Sequence, residues 1–266
     1  MSLRWSDRVC AALAPSRVNA AVWARGWSRE PAERASLPCA EAADGARWQP
    51  AVDGLRGWMG ARAARRSSLN VVLSNRFVRY AVMPWREGVV AREEREAQAR
   101  HLLRSTYGEA AMHWHLKLAE AGYGRPALAC AVDRSLLEAL HGLAGEVRAR
   151  LDAVQPLLML ALNRFRRELG QDACLLVLEP GALCCAVLLG GQWQAVHVSR
   201  VGAQGWNEAL VERQIAVHGL PADMPVFLFD ASGAAQPLRA GAAYRTLEAR
   251  PATPADFALS LFALPA

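Results

Sequence analysis

The sequence of 266 residues predicts the same order of strands and helices twice, once in each half. In the second half, residues 173–179, 182–189 and 192–200 are apolar segments joined by the turn sequences PG and GG, which predict three antiparallel strands. A helical pattern over 205–219 ends at a glycine, and an apolar strand follows at 225–230. The second half therefore predicts the order strand, strand, strand, helix, strand.

The first half shows the same order. We expect strands near 6–13, 17–25 and 33–41, a helix over 49–65, and closing strands in NVVLS (70–74) and in its expected partner FVRYAVM (77–83). A hairpin with a third strand, a crossover helix and a parallel strand, occurring twice, is the layout of the duplicated actin-like, ribonuclease-H-like (ASKHA) fold. The predicted fold class is α/β, of this duplicated type.

Residues 84–132 interrupt the first half just after its last predicted strands. They read as a charged helix (90–106) and a hairpin whose strands are 112–120 and 125–132. Two amphipathic helices then separate the halves, in 133–151 and 156–169. The expected division is a first actin-like half at 1–83, an inserted helix-hairpin subdomain at 84–132, linking helices at 133–172 and a second actin-like half at 173–266.

Composition narrows the classes of partner and compartment. The net charge is +6, but Lys117 is the only lysine among 31 basic residues and the arginines are spread along the chain, so nucleic acid is not predicted as a partner. The six cysteines show no CxxC spacing, which favours a reducing compartment. No apolar run has the length of a membrane span. The expectation is a soluble, cytoplasmic protein.

Residues 77–165 resemble a known pair of families. The segments VRYAVMPW, VDRSLLEAL and QPLLMLALNRF, with the charged helix and hairpin between them, are similar to the PilM-like actin-fold proteins of type IV pilus assembly and to the GspL-like cytoplasmic domain of type II secretion. The flanking regions resemble these families only in the order of elements. This resemblance implies a non-catalytic scaffold that lies at the inner membrane through its partners.

In those families a cytoplasmic N-terminal peptide of a bitopic inner-membrane protein binds between the first half and the inserted hairpin, and the assembly ATPase docks on L-type proteins. The resemblance thus implies both partners here, with the membrane contacted only indirectly. Arginine and tryptophan are favoured interface anchors. Surface arginine that merely increases solubility is the alternative for each basic candidate. The candidate contacts are Asn75, Arg76, Arg79, Trp85, Arg95, Arg104 and Trp114.

Catalytic members of the fold hold phosphates on two glycine-containing turns that carry an acidic residue. The first turn here, LAPSRVN, offers only Ser16, and the second, LEPGALC, retains Glu179 and Gly181 but has a proline between them. FDASG, with Ser232 and Gly233, is a candidate adenosine-side loop. A plain hairpin turn is the alternative for Glu179 and Gly181, and a strand-ending turn is the alternative for Ser232 and Gly233. We expect no enzyme activity and no required cofactor, with weak ATP binding left open.

Two other functional classes stay open. The enzyme alternative is a nucleotide-binding ATPase or kinase of the actin-like fold, and a further alternative is an effector-binding regulator without catalysis. His113 and His115 lie two residues apart on a predicted strand and could hold a metal, but no third ligand is nearby, so no metal site is predicted.

Overall fold

The protein is described from a computed structural model. It describes residues 6–25, 30–42, 46–62, 66–89, 91–119, 122–201, 208–217, 219, 223–232 and 244–248. The strands are β1 (Asp7–Ala14), β2 (Arg17–Trp23), β3 (Glu33–Pro38), β4 (Ser67–Leu73), β5 (Val78–Met83), β6 (Trp114–Leu118), β7 (Ala127–Asp133), β8 (Ala149–Pro156), β9 (Ala173–Glu179), β10 (Ala182–Leu189), β11 (Gln192–Arg200), β12 (Val226–Asp230) and β13 (Tyr244–Leu247). The helices are α1 (Gln49–Gly60), α2 (Arg92–Tyr107), α3 (Arg134–Glu146), α4 (Leu157–Leu169) and α5 (Glu208–Val217).

The first sheet has the strand order β3-β2-β1-β4-β8. β1 and β2 form an antiparallel hairpin, and β4 runs parallel to β1, as a crossover through α1 requires. β1 and β2 are apolar on nearly every residue because both faces of this sheet are covered. α1 and α3 lie side by side, and an exposed ion pair from Arg56 to Glu146 joins them.

The second sheet repeats this arrangement with the order β11-β10-β9-β12-β13. β9, β10 and β11 are antiparallel, while β12 pairs with β9 in parallel. α4 belongs to the same core as both five-stranded sheets, and the Phe165 ring lies 5.3 Å from the Phe229 ring of β12. The repeated order predicted from the sequence, and with it the duplicated actin-like layout, is confirmed.

The insertion forms a third sheet with the order β5-β7-β6. One face of it packs on α2 and forms a separate core that includes Met83, Leu103, Trp114 and Leu116. The prediction that FVRYAVM pairs with the NVVLS strand is wrong, because β5 pairs with β7 instead. The insertion therefore begins at the short 3-10 turn Asn75–Phe77, before residue 84.

The linking region 133–172 also differs from its prediction. The first helix was expected to continue to residue 151, but α3 ends at Glu146, and Arg148 adopts a left-handed backbone with φ of 53°. The chain then reverses into β8, which pairs in parallel with β4. β8 is thus an additional strand of the first sheet, and among the described residues it forms one edge of that sheet, with β3 at the other.

Smaller differences lie at element ends. The residues before Trp114 form a 3-10 turn, so His113 lies outside the strand where it was expected. β13 was not predicted. No helix in the described part of the chain has the length and apolar character needed to cross a membrane.

Candidate functional site

The two turns considered as phosphate sites border the same cleft, through Pro15 and Ala182. Ser16 occupies the β1–β2 turn, where its carbonyl oxygen accepts a hydrogen bond from the Cys39 N–H at 2.8 Å. Gly181 occupies the β9–β10 turn with φ of +74°, a conformation that disfavours residues with a side chain. A Cβ atom at Gly181 would lie 3.2 Å from Nη1 of Arg76. An arginine, not open space, therefore borders the second turn.

Glu179 is buried and fixed by the opposite half of the molecule. Its Oε1 accepts a hydrogen bond from the Asn75 backbone N–H at 2.9 Å. The side-chain Oδ1 of Asn75 accepts two further bonds, from the Tyr80 hydroxyl at 2.7 Å and from the Leu158 N–H at 3.1 Å. We call Asn75, Tyr80, Leu158 and Glu179 the central network. It joins the first half, the insertion, α4 and the second half through one asparagine.

Burial raises the pKa of Glu179 to about 7. The neighbouring Ser74 and Asn75 groups and the charge of Arg76 offset only part of this desolvation. A carboxyl group in this state titrates near neutral pH while it is tied to Asn75. The hydrogen bond to Asn75 is typical of a carboxyl group that holds the two halves together. It is less suited to a carboxylate that binds a metal or activates water.

The remaining nucleotide candidates lie at the end of β12. The Asp230 carboxylate accepts hydrogen bonds from the Ser232 N–H at 2.7 Å and from its hydroxyl at 2.6 Å, which closes a local turn. Gly233 lies outside the described residues. This geometry is that of a strand-ending turn, and nucleotide binding there remains a prediction.

Three of the seven partner candidates are drawn inward. Asn75 is fully buried, so its side chain contacts the chain itself and not a partner. Arg79 donates hydrogen bonds to the carbonyl oxygens of Arg76 and Val78, and its guanidinium lies about 6 Å from the rings of Tyr107 and Trp114. Trp114 is itself a core residue of the insertion. These three side chains position the insertion.

The other four candidates lie in three different places. Arg104 is exposed and pairs with Glu109. Trp85 contacts the ring of Tyr123 at 4.7 Å and lies under the guanidinium of Arg95. Arg76 lies apart from both, in a cleft between the halves. The structure therefore does not bring the seven candidates together as one site.

A groove lies between β8, at one edge of the first sheet, and the inserted hairpin. It has a volume of about 450 Å³, and we call it the β8 groove. β8 forms one wall, α3 contributes to another, and one face of the β6–β7 hairpin closes it. Its lining is mainly apolar, with a rim of basic and histidine side chains. The groove is lined by Leu73, His115, Lys117, Leu118, Ala119, Cys130, Val132, Leu137, His141, Leu151, Asp152, Ala153, Val154, Gln155, Pro156 and Met159.

None of the seven predicted contacts lines the β8 groove. The partner groove predicted from the sequence lies between the first half and the inserted hairpin, and the β8 groove also borders that hairpin. The signal that could have revealed β8 was the run Arg150, Leu151, Asp152, where polar and apolar residues alternate as they do along a strand. Among the described residues, no group of three or more His, Cys, Asp or Glu side chains could hold a metal ion.

No protein-family model and no curated protein sequence matches the chain. Solved structures do match over nearly its whole length. The cytoplasmic domain of EpsL, an inner membrane component of the type II secretion system of Vibrio cholerae, is 15% identical with a TM-score of 0.54 and covers 91% of this chain and 90% of its own. A PilM–PilN type IV pilus biogenesis complex is 14% identical with a TM-score of 0.62, covering 96% and 97%.

A third solved structure is a protein of unknown function with an actin-like ATPase fold from Bacteroides thetaiotaomicron. It is 10% identical, covers 97% of this chain and 96% of its own, and has a TM-score of 0.55. Identities this low establish architecture only. The resemblance drawn from residues 77–165 is confirmed at that level, and the chain has the actin-like fold with a helix-hairpin insertion.

Proposed function

We propose that this chain is a non-catalytic scaffold of a type IV pilus or type II secretion-like assembly platform. In this role it holds an extended cytoplasmic peptide of an inner-membrane partner in the β8 groove. The observation that carries the proposal is the groove itself, because it is mainly apolar and is bordered by β8 and β6, each at one edge of its sheet as described. Outermost strands offer backbone groups that an added strand can pair with.

The solved structures support the same class of partner. One is described as an inner membrane component and another as a pilus biogenesis complex. A partner of this kind would hold the chain at the cytoplasmic face of the inner membrane. The family resemblance also implies docking of the assembly ATPase, and we keep this as a proposal without assigning it a surface.

The geometry around Glu179 supports a role without catalysis. Glu179 is the only carboxylate in the two phosphate-type turns, and Asn75 already binds it in the interior. Pro180 next to it has no backbone N–H to offer a phosphate. The ATPase or kinase alternative would need this carboxylate to face a metal or water.

The occupant of the groove can be identified by photo-crosslinking in the native cell. A photoreactive residue at Val154 should capture an inner-membrane protein, and mapping should place the crosslink in its cytoplasmic N-terminal segment. The same residue at Glu138, which is exposed on α3 outside the groove lining, is the matched control. Crosslinks to the same partner from residues 173–230 alone would place its binding site elsewhere.

Leu137→Arg should weaken binding of that segment, made as a synthetic peptide, by at least about tenfold, or about 1.4 kcal/mol. Leu137 is half-buried in the groove wall, so arginine there adds bulk and charge where apolar contacts form. Fluorescence anisotropy measures the affinity. Glu138→Arg puts the same residue one position away on the exposed face and should leave affinity unchanged. Wild-type affinity in Leu137→Arg would contradict the proposed site.

The rim of the groove predicts the charge of the peptide. Lys117, His115 and His141 line the groove, and the acidic residue of its lining, Asp152, is already paired with Arg150. We therefore expect acidic residues in the peptide, and Lys117→Glu should weaken its binding several-fold at about 0.05 M salt and much less at about 0.5 M, where exposed charge pairs are screened. Equal weakening at both salt concentrations would show that Lys117 acts through packing instead.

A further inference from the structure

A cavity of about 220 Å³ lies between the first half and the insertion, and we call it the insertion cavity. The segment just before α1 lines one side of it through Arg47 and Trp48. β6, β7 and the 3-10 turn before Trp114 line the other side. Among the described residues, none from the β1–β2 turn or from the second half lines it, and Val132 is the one residue that it shares with the β8 groove.

Trp48 brings a buried hydrogen-bond donor to this cavity. The residue is only 7% exposed, and its Nε1 has no acceptor among the described residues. Leaving a buried N–H without an acceptor is costly, so nearly all such groups are satisfied by the protein itself, by water or by a ligand. The first-half side of the insertion cavity therefore calls for a group that accepts a hydrogen bond.

Asp133, on the insertion side of the cavity, also lacks a partner. It is the N-cap residue of α3, a position where an aspartate usually accepts a hydrogen bond from the first N–H groups of the helix, but it makes no such bond here. Its carboxylate has no hydrogen bond or ion pair in the described part of the chain. This side of the cavity therefore calls for a donor, and a cationic one suits a carboxylate best.

Two of the three arginines that line the cavity are already engaged. Nη1 and Nη2 of Arg76 donate hydrogen bonds to the carboxylate of Glu41 at 2.7 and 3.3 Å. Arg79 donates to two backbone carbonyl oxygens and lies over the ring of Trp114. Neither guanidinium is therefore the main attraction for a ligand.

Arg47 is the third arginine, and it is exposed. It makes no hydrogen bond in the described part of the chain, although its charge acts on Glu41. Asp44, three residues before it, lies outside the described residues. The groups left to meet a ligand are thus two donors, Arg47 and Nε1 of Trp48, on one side of the cavity and one acceptor, Asp133, on the other.

We propose that the insertion cavity binds a small zwitterion of the amino-acid class. Its carboxylate accepts hydrogen bonds from Nε1 of Trp48 and from Arg47, and its ammonium donates to Asp133. An anion alone would leave Asp133 without a partner, and a cation alone would leave the Trp48 N–H without an acceptor. This small-molecule site goes beyond the proposed function, because peptide binding in the β8 groove does not require it.

The rest of the lining and the volume fit the same class of ligand. Phe77, Trp114 and Val132 form apolar walls that suit the hydrocarbon part of such a molecule. About 220 Å³ corresponds to roughly seven water molecules, which is about the size of leucine. Because the ligand contacts both the first half and the insertion, it should also raise the unfolding temperature in a saturable way.

The test is titration calorimetry of the full chain with L-leucine and with its isomer ε-aminocaproate. Wild type should bind at least one of them. Isocaproate, which lacks the ammonium group, and leucinamide, which lacks the carboxylate, should bind at least about tenfold more weakly than the better zwitterion. Tighter binding of leucine indicates a ligand with adjacent charges, and tighter binding of ε-aminocaproate indicates one with separated charges.

Variants of the two unpartnered groups locate the site. Asp133→Asn should weaken zwitterion binding at least about tenfold and leave isocaproate binding unchanged, since only the ammonium contact is lost. Asparagine is an equally favoured N-cap residue, so α3 should be preserved. Trp48→Phe removes the N–H and keeps an aromatic ring, and it should weaken binding several-fold. Glu138→Gln, on the exposed face of α3 outside the cavity, is the control and should match wild type.

Three results would overturn the proposal. These are no binding of either zwitterion at millimolar concentration, which would leave water as the occupant, equal zwitterion binding by Asp133→Asn and wild type, or isocaproate binding as tight as that of the better zwitterion. Unfolding curves of each variant separate lost binding from lost folding. Asp133→Asn should bind the groove peptide as wild type does, so failure here is distinct from failure of the proposed function.

Discussion

Asn75→Ala should lower the free energy of unfolding by about 3–4 kcal/mol, because it removes the acceptor of two buried hydrogen bonds. The Tyr80 hydroxyl and the Leu158 N–H both donate to Asn75 Oδ1, and no water can replace that atom without entering the core. An unsatisfied buried donor costs about 1–3 kcal/mol, and the small cavity left by the side chain adds to this. Urea denaturation measures the loss.

Tyr80→Phe is the matched control for this prediction. It removes one donor and keeps the ring, so Asn75 Oδ1 still accepts from Leu158. We expect a loss of only about 1 kcal/mol. If Asn75→Ala costs no more than Tyr80→Phe, the asparagine does not connect the parts of the molecule, and the central network contributes little to stability.

The second half was predictable because its signals are local. β9, β10 and β11 are continuous apolar runs separated by two-residue turns containing glycine, and their ends agree with the predicted ranges. A hairpin depends on residues that are neighbours in the chain. The pattern therefore contained both the strands and their pairing.

The pairing of β5 and the existence of β8 depended on distant residues. β5 has an ordinary strand sequence, and only the tertiary structure decides whether it joins β4 or β7. α3 ends without a glycine in the left-handed position, because Gly145 lies within the helix and Arg148 takes the left-handed conformation that usually requires glycine. The expected helix was therefore extended into the residues that form β8.

The site was harder to predict than the fold for the same reason. Asn75 and Glu179 are 104 positions apart, and nothing in either local sequence indicates that they meet. Glu179 was recognised as the acid of a phosphate-type turn, but its burial against Asn75 depends on the packing of both halves. Similarly, Arg47, Glu41 and Arg200 form one cluster only after the halves come together.

The pH dependence of stability should report this burial directly. The pKa of Glu179 is raised from 4.5 to about 7 in the folded state, so the folded chain binds this proton more tightly than the unfolded chain does. The resulting stabilisation is fully present below about pH 4.5 and is lost as the pH rises through about 7. Between about pH 5 and 7.5 it should decrease by about 2 kcal/mol.

The groups around Glu179 do not produce the same trend. Burial raises the pKa of Tyr80 and of Cys184 well above their usual ranges, so both stay neutral in this interval. The chain also has six histidines, so wild type must be compared with a variant that retains them all.

Glu179→Gln is that variant. Its amide oxygen can still accept from the Asn75 N–H, but it has no proton to lose, so the contribution that declines with pH should vanish. Urea denaturation from about pH 5 to 8 should show the two proteins diverging as the pH rises, with the glutamine variant the more stable above about pH 7. Parallel profiles for wild type and Glu179→Gln would mean that Glu179 titrates as an ordinary carboxylate. Ordinary titration would in turn require solvent at the centre of the molecule and would reopen a catalytic role for this residue.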